Sequence, residues 1–305
     1  MSAAQHNDTS VALVGCGRWG RRILRDLRSL GCHVTVVDPD AEARALGDAA
    51  VSHWDRLPMS GAFDGVIVAT PTATHAEVVA DVLRLGVPVF CEKPLAASLA
   101  DALAMQSERL FAMHVWRYHP GIEALAAIAR KQELGAVIGL RTTRTGWTSP
   151  RTDVDATFTL VPHDLSIALA VLGHIPTPRH ALVEQLDGRA VGMLATLKDA
   201  AGPWFVLEAS TRYADKRREV RLHCRDGVAS LPHGESTALQ IARGTSERPE
   251  LELRAFDPEP ALLRELRVFV AHLRGGPPPP TNAAEGLAVV QALLALRALA
   301  GWEVA

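Results

Sequence analysis

The chain has 305 residues, 48% of them hydrophobic and 22% charged, with a formal charge of −2. That length and apolar content can bury one large core or two moderate ones. With no excess of positive charge, a nucleic-acid partner is not expected. Cys16, Cys32, Cys91 and Cys224 are widely scattered without a CxxC pair and read as reduced thiols of a cytoplasmic protein.

Met1 to Ser10 is polar and lacks the basic-then-apolar order of a signal peptide. No uncharged apolar run reaches the roughly 18 residues of a membrane span. Val11 to Val14 predicts a short strand, followed by the glycine loop Gly15-Cys16-Gly17-Arg18-Trp19-Gly20. A helix follows to Leu30, with apolar residues at Ile23, Leu24, Leu27 and Leu30, and Gly31 ends it. Strands are predicted at His33–Val37, briefly at Val51, and at 64–69, 87–91 and 110–114. Helices over 41–46, 73–85 and 98–109 alternate with them. This order predicts a doubly wound parallel sheet with ligands at the strands' carboxyl ends.

After Trp116 the pattern changes. Helices are predicted at 120–132, 162–172, 260–273 and 284–299. Strands are expected at 137–144, 181–184, 191–197, 204–211, 219–223 and 228–231, with Asp226-Gly227 as a hairpin signal. This second segment reads as α+β with a largely antiparallel sheet. The expected division is 1–117 for a nucleotide-binding domain and 118–305 for a substrate-binding and oligomerisation domain.

The glycine loop lies between a predicted strand and a predicted helix, the context a pyrophosphate requires. Gly15 permits the turn, Gly17 lets the backbone approach the phosphates and Gly20 allows close helix packing. The helix amides then face the negative charge. Asp38, 18 residues beyond Gly20, is placed to accept the ribose hydroxyls and to repel a 2′-phosphate, so NAD is the expected cofactor. A plain glycine turn and an aspartate cap before Pro39 are the competing readings. Lysine is scarce, with Lys93, Lys131, Lys198 and Lys216 against 28 arginines. Lys93 ends a buried strand within Glu92-Lys93-Pro94, as a snorkelling surface lysine or as a functional one.

Three motifs, Val14 to Gly20, Ala69-Thr70-Pro71-Thr72-Ala73-Thr74-His75 and Cys91-Glu92-Lys93-Pro94-Leu95, match in order and spacing those of one family. The chain resembles the glucose–fructose oxidoreductase/inositol dehydrogenase (Gfo/Idh/MocA) family. The likeness continues through Arg117-Tyr118-His119-Pro120, Pro162-His163-Asp164-Leu165 and Glu285-Gly286, more weakly after residue 175. It implies an amino-terminal Rossmann domain, a carboxyl-terminal domain with an open sheet, and NAD(P)-linked chemistry on sugars or cyclitols. It also implies that Thr70, Pro71, His75, Glu92 and Lys93 surround the nicotinamide end, and that a cis bond precedes Pro94.

Removing hydride from a carbinol carbon leaves an alkoxide-like oxygen unless the proton departs with it. An ammonium such as Lys93 lowers that cost, and an imidazole can take the proton. His163 is the candidate base, read as lying just inside a helix start at Pro162, with a structural histidine as the competing reading. Asp164 either orients it or favours the first helical turn. Many relatives carry an aspartate four residues before this histidine; here the position is Thr159, which cannot act as a carboxylate base. Lys93 and His163 then suffice, or Asp153 or Asp155 enters the site, or the protein binds without turnover.

Arg117, Tyr118, Thr159, Asp164 and Trp147 are the candidate substrate contacts, with a core tryptophan as the alternative for Trp147. Thr142, Arg144 and Gly146 alternate with Arg141, Thr143 and Thr145, so one arginine should face the pocket. Lys216-Arg217-Arg218 reads either as a solvated loop or as a partner for a substrate phosphate or carboxylate. The twelve histidines show no HxxxH or HxH spacing, so no metal is expected. The sequence thus points to an NAD-dependent oxidoreductase acting on a sugar, nucleotide sugar or cyclitol. A lyase or glycosidase that reduces and reoxidises bound NAD, and a non-catalytic sensor, are the alternatives. The apolar character of both faces of 191–197 and 204–211 predicts a homodimer or homotetramer packed through that sheet.

Overall fold

A computed structural model describes residues 9–58, 61–148, 153–245 and 247–302. The amino-terminal part contains β1 (Thr9–Val14), α1 (Gly20–Ser29), β2 (Cys32–Val37), α2 (Ala41–Arg44), β3 (Ala49–Val51), β4 (Gly65–Val68), α3 (His75–Val82), β5 (Val89–Glu92), α4 (Leu99–Ala104) and β6 (Leu110–Met113). Its six strands are parallel, in the order β3-β2-β1-β4-β5-β6. Val11–Leu13, Val66–Val68 and Val89–Cys91 are sealed from solvent. Strands covered on both faces need unbroken apolar runs, which is why these segments do not alternate with polar residues. Strand order reverses between β1 and β4, and a doubly wound sheet opens a ligand crevice at such a point.

The rest of the chain forms α5 (Pro120–Lys131), β7 (Val137–Trp147), α6 (Ala156–Leu172), β8 (Pro178–Leu186), β9 (Arg189–Lys198), β10 (Trp204–Ser210), β11 (Arg212–Cys224), β12 (Gly227–Leu231), β13 (Ala238–Gly244), β14 (Pro249–Ala255), α7 (Ala261–Leu273) and α8 (Ala283–Leu299). The second sheet has the order β14-β13-β12-β11-β7-β10-β9-β8 and is antiparallel except for the β7–β10 pair. One face packs Phe205, Leu207, Met193 and Leu222 against Leu125, Phe158, Leu165 and Leu293 of the helices. The opposite face carries Val206 and the exposed Leu182 and Leu194.

The chain divides into two units. The first runs to Ala96, resumes over Ala100–Met113 and is completed by Leu262–Gly286; the second comprises Ala97–Leu99, His114–Ala261 and the chain from Leu287. Most of α7 therefore belongs with the parallel sheet, where Phe269 stacks on Phe90 of β5 at 4.8 Å. The segment after α7 extends the sheet edge, since the Ala112 amide donates to the Thr281 carbonyl at 2.7 Å.

Four local expectations need correction. α6 begins at Ala156, six residues before Pro162, because the Asp155 carboxylate caps it by accepting from the Thr157 and Phe158 amides at 2.9 and 3.4 Å. Pro162 sits inside the helix, and the burial of Phe158, Val161 and Leu165 outweighs the hydrogen bond it cannot make. β13 and β14 were not anticipated; on β14, Leu251 and Leu253 point to solvent at 80% and 75% exposure, which defeats an alternation argument. The 225–228 hairpin is present, with Arg225 and Asp226 in the turn and Gly227 already paired to Cys224. α4 ends at Ala104, short of the expected 109.

Candidate functional site

The carboxyl ends of β1, β2, β4 and β5 gather the residues expected at the dinucleotide. Gly15 leaves β1 with φ of 93°, and a Cβ there would lie 2.7 Å from the Ala69 carbonyl oxygen, so the position admits only glycine. α1 has no acid in its first turn and no side-chain cap from Trp19. The first amides and the positive end of the dipole are thereby left to an outside anion. An ideal Cβ on Gly17 meets nothing within 4 Å, so the approach over the loop is clear. These features fit the pyrophosphate of NAD. The Asp38 carboxylate accepts from the Cys16 amide at 2.7 Å and the Asp40 amide at 2.9 Å, which fixes it beside the loop at the end of β2. Arg18 is exposed on the same loop.

The second and third motifs are tied to each other. His75 is buried, and its ring nitrogens face the Pro94 carbonyl at 3.0 Å and the Thr70 carbonyl at 3.1 Å. It therefore clasps two loops and presents no surface of its own. Thr74 donates to the Thr70 hydroxyl at 2.9 Å, in the turn that follows Pro71. The Trp19 indole donates to the Glu92 carboxylate, which also accepts from the Lys93 amide at 3.0 Å. The Lys93–Pro94 bond is cis. The glycine loop, Thr70–Pro71, and Glu92–Lys93 thus form one connected rim in the first unit.

In the second unit, Arg117 and Tyr118 lie in a short 3-10 turn, Val115–Tyr118. Thr159 and His163 are one turn apart on α6, hence on one face of the helix. His163 stands seven residues after Ala156, so the helix-start dipole, which acts over the first turn, does not set its protonation. Asp155 does not take the place of the missing aspartate. It caps α6 and pairs with Arg297 Nη1 at 2.7 Å; burial raises its pKa, but bonds from Thr157 and Arg297 outweigh that and hold the carboxyl below the usual value. Asp164 is sealed from solvent and accepts from Arg144 Nε at 3.0 Å, which makes it the counter-ion of a buried arginine. Burial lifts the Asp164 carboxyl above its usual pKa, with Arg144 offsetting part of the rise. Trp147 is 64% exposed under the Arg212 guanidinium, 4.1 Å from its ring centre. It lies on the opposite sheet face from Arg144 and is not a core residue.

Among the buried ionisable groups, the sequence reading missed Glu265 and left Arg144 open. Glu265 on α7 is fully buried, and neither carboxyl oxygen has a hydrogen-bond partner among the described residues. Burial and then the charge of Glu92 push its pKa well above the usual carboxylate value. The signal was present: Glu265 interrupts the apolar stripe Leu262, Leu266, Phe269, Val270. Arg144 is the arginine of β7 that turns inward, while Arg141 is exposed.

Residues 9–109 match a family model described as an oxidoreductase family with an NAD-binding Rossmann fold. UDP-N-acetylglucosamine 3-dehydrogenase from Acidithiobacillus ferrooxidans is 30% identical, with 78% of this chain and 79% of that protein covered. Inositol 2-dehydrogenase from Pseudomonas fluorescens is 27% identical across 92% of this chain and 91% of its own. The solved structure of the Acidithiobacillus enzyme superposes with a TM-score of 0.81 at 26% identity, covering 96% of this chain and 98% of that one. A levoglucosan dehydrogenase in complex with NADH reaches 0.84 at 16% identity over 96% and 97% of the two chains, a likeness of fold alone.

Proposed function

Since this chain belongs to the Gfo/Idh/MocA oxidoreductase family, with NAD as its cofactor, we propose that it moves hydride between nicotinamide and a ring hydroxyl or ketone of a sugar, nucleotide sugar or cyclitol. The observation that carries this reading is the rim joining the glycine loop, the Thr70 turn and Lys93 through Trp19, His75 and Glu92. Bound NAD supplies the hydride acceptor or donor. Asp38 takes the ribose hydroxyls and the α1 amides take the pyrophosphate. Lys93 offsets the negative charge that develops on the substrate oxygen, and His163 accepts or returns its proton. Thr159, one turn before His163, hydrogen-bonds a neighbouring substrate hydroxyl.

The protein is further read as a cytoplasmic homodimer or homotetramer. Its four cysteines are unpaired and buried, and among the described residues no helix is long and apolar enough to cross a membrane. The direct test is NADH absorbance during a screen of sugars, inositols and sugar nucleotides. Turnover on at least one ring alcohol is expected. Tight NAD binding without turnover on any of them would refute the enzymatic reading.

A further inference from the structure

The basic run Lys216-Arg217-Arg218 divides by direction. Lys216 and Arg217 are exposed and paired with Glu235 at 2.8 Å and Asp215 at 2.6 Å, an ordinary solvated arrangement. Arg217 faces away from Arg218, whereas Lys216, opposite Gly146, lies on the same side of the sheet as Arg218 but reaches out to solvent. Arg218 is directly opposite Arg144 in the β11–β7 pairing, and residues opposite each other in an antiparallel pair share a face. That face is the helix-covered one, apolar at Leu140, Val220 and Leu222 and cationic where Arg144 and Arg218 meet. Like charges opposite each other destabilise a sheet, so the pairing needs a compensating role.

The protein itself does not neutralise the pair. Arg144 is held by its single buried counter-ion, Asp164, and lies 4.5 Å over the Trp116 ring. Arg218 uses Nη1 on the carbonyls of Thr145 and Arg217, both at 2.5 Å, and these are uncharged acceptors. Among the described residues its Nε and Nη2 have no hydrogen-bond partner, and neither is sealed from solvent. Burial and then the repulsion of Arg144 depress the Arg218 pKa to about 10, against the pull of Asp164. The guanidinium stays charged at neutral pH but is under-compensated. At Gly234 an ideal Cβ would come within 3.2 Å of Arg218 Cβ and 2.8 Å of Trp116, so the backbone of that loop closes directly over the base of the arginine and fixes its direction.

We propose that Arg218, backed by Arg144, binds a fixed oxyanion of the substrate, a phosphate ester or a carboxylate, through its open Nε and Nη2 edge. Those two nitrogens form the planar fork that matches two oxygens of such a group. Arg144, too deep to reach the ligand, supplies charge behind it. Of the substrates considered above, this selects the anionic polyols over neutral sugars and cyclitols. The inference rests on the reading of the second unit as the substrate unit, but its test does not require hydride transfer.

The experiment is calorimetric binding to the full-length protein saturated with NAD, so that the glycine loop is filled. The probes are UDP for the phosphate source, glucuronate for the carboxylate source and myo-inositol as the neutral control. At least one anion is expected to bind, and Arg218→Met to weaken it about tenfold or more, with Arg218→Lys intermediate because it keeps the charge without the fork. Which anion responds identifies the source. Melting temperature separates this role from a structural one: removing an uncompensated cation should leave it unchanged or raise it. Failure of both anions to bind, or equal binding by Arg218→Met, overturns the proposal. Absence of NADH formation with anion binding intact would count against the oxidoreductase reading alone.

Discussion

Alanine at Gly17 and alanine at Gly20 should separate cofactor binding from folding. At Gly17 the backbone lies outside the left-handed region and an added Cβ meets nothing within 4 Å. Gly17→Ala should therefore fold normally, and it can gain the roughly 0.4–1 kcal/mol that such changes yield through a less flexible unfolded chain. The methyl nevertheless projects into the clear space over the loop, where the pyrophosphate has to approach the backbone. Forcing one extra methyl into a filled space costs about 1–3 kcal/mol, so NAD affinity should fall by about five- to 150-fold. At Gly20 the added Cβ would lie 2.2 Å from the Gly15 carbonyl oxygen, far inside contact distance. Gly20→Ala has to separate the start of α1 from the turn after β1, so it should lose about 1–3 kcal/mol of stability even without NAD. Thermal melts of the NAD-free protein and NAD calorimetry on both variants decide the matter. Wild-type NAD affinity in Gly17→Ala would refute the pyrophosphate assignment, and a wild-type melt for Gly20→Ala would refute the packing argument.

Lys93→Met should cut turnover by about a hundredfold with NAD affinity nearly intact, and His163→Ala should also slow it; near wild-type rates in both would remove them from the chemistry. Asp38 should give NAD a preference over NADP of at least about tenfold, which Asp38→Ser narrows, as calorimetry with the two cofactors can show. Glu265 has a folded pKa above its unfolded value, so it costs stability once the unfolded chain ionises, and the cost grows as pH rises toward the folded pKa. The melting temperature of Glu265→Gln minus that of the wild type should accordingly increase as pH rises above the ordinary glutamate pKa; a constant difference would refute a raised pKa in the fold. Light scattering at micromolar concentration should give a multiple of the 32.7 kDa chain, and Leu182→Glu with Leu194→Glu should lower it; a wild-type monomer would end the oligomer reading.

The first unit was largely legible because its signals are local. A fully buried parallel strand needs a continuous apolar run, and each run from Val11 to Val14, 64–69 and 87–91 is closed by glycine, proline or a motif residue. What the sequence did not disclose there is how the motifs hold one another. The His75 clasp to the Pro94 carbonyl spans 19 residues and the Trp19–Glu92 bond spans 73, distances at which no spacing rule operates. Nor does any rule assign Leu262–Gly286, which follows the whole second sheet, back to the first unit.

In the second unit the misreadings come from weighing local signals against packing. Pro162 looks like a helix start because proline is tolerated at the first helical position, yet the stronger signal was Asp155 followed by Thr157, a carboxylate two residues before an amide it can cap. Moving the start to Ala156 changes the chemistry as well as the boundary. It puts Thr159 and His163 on one face of a continuous helix, and it withdraws the dipole that would have kept the imidazole neutral. It also commits Asp155 to Arg297, leaving the Thr159 substitution uncompensated by that acid. Alternation correctly required that Arg141 and Arg144 face opposite ways, but which one points inward follows from the register with Val220 and Leu222. The same register sets Arg218 against Arg144 while Arg217 faces away, so neighbouring members of one run of like charges are separated only by strand pairing. Charge that looks like a solvated face in one dimension becomes an inward-facing cation once the pleat assigns each residue a side.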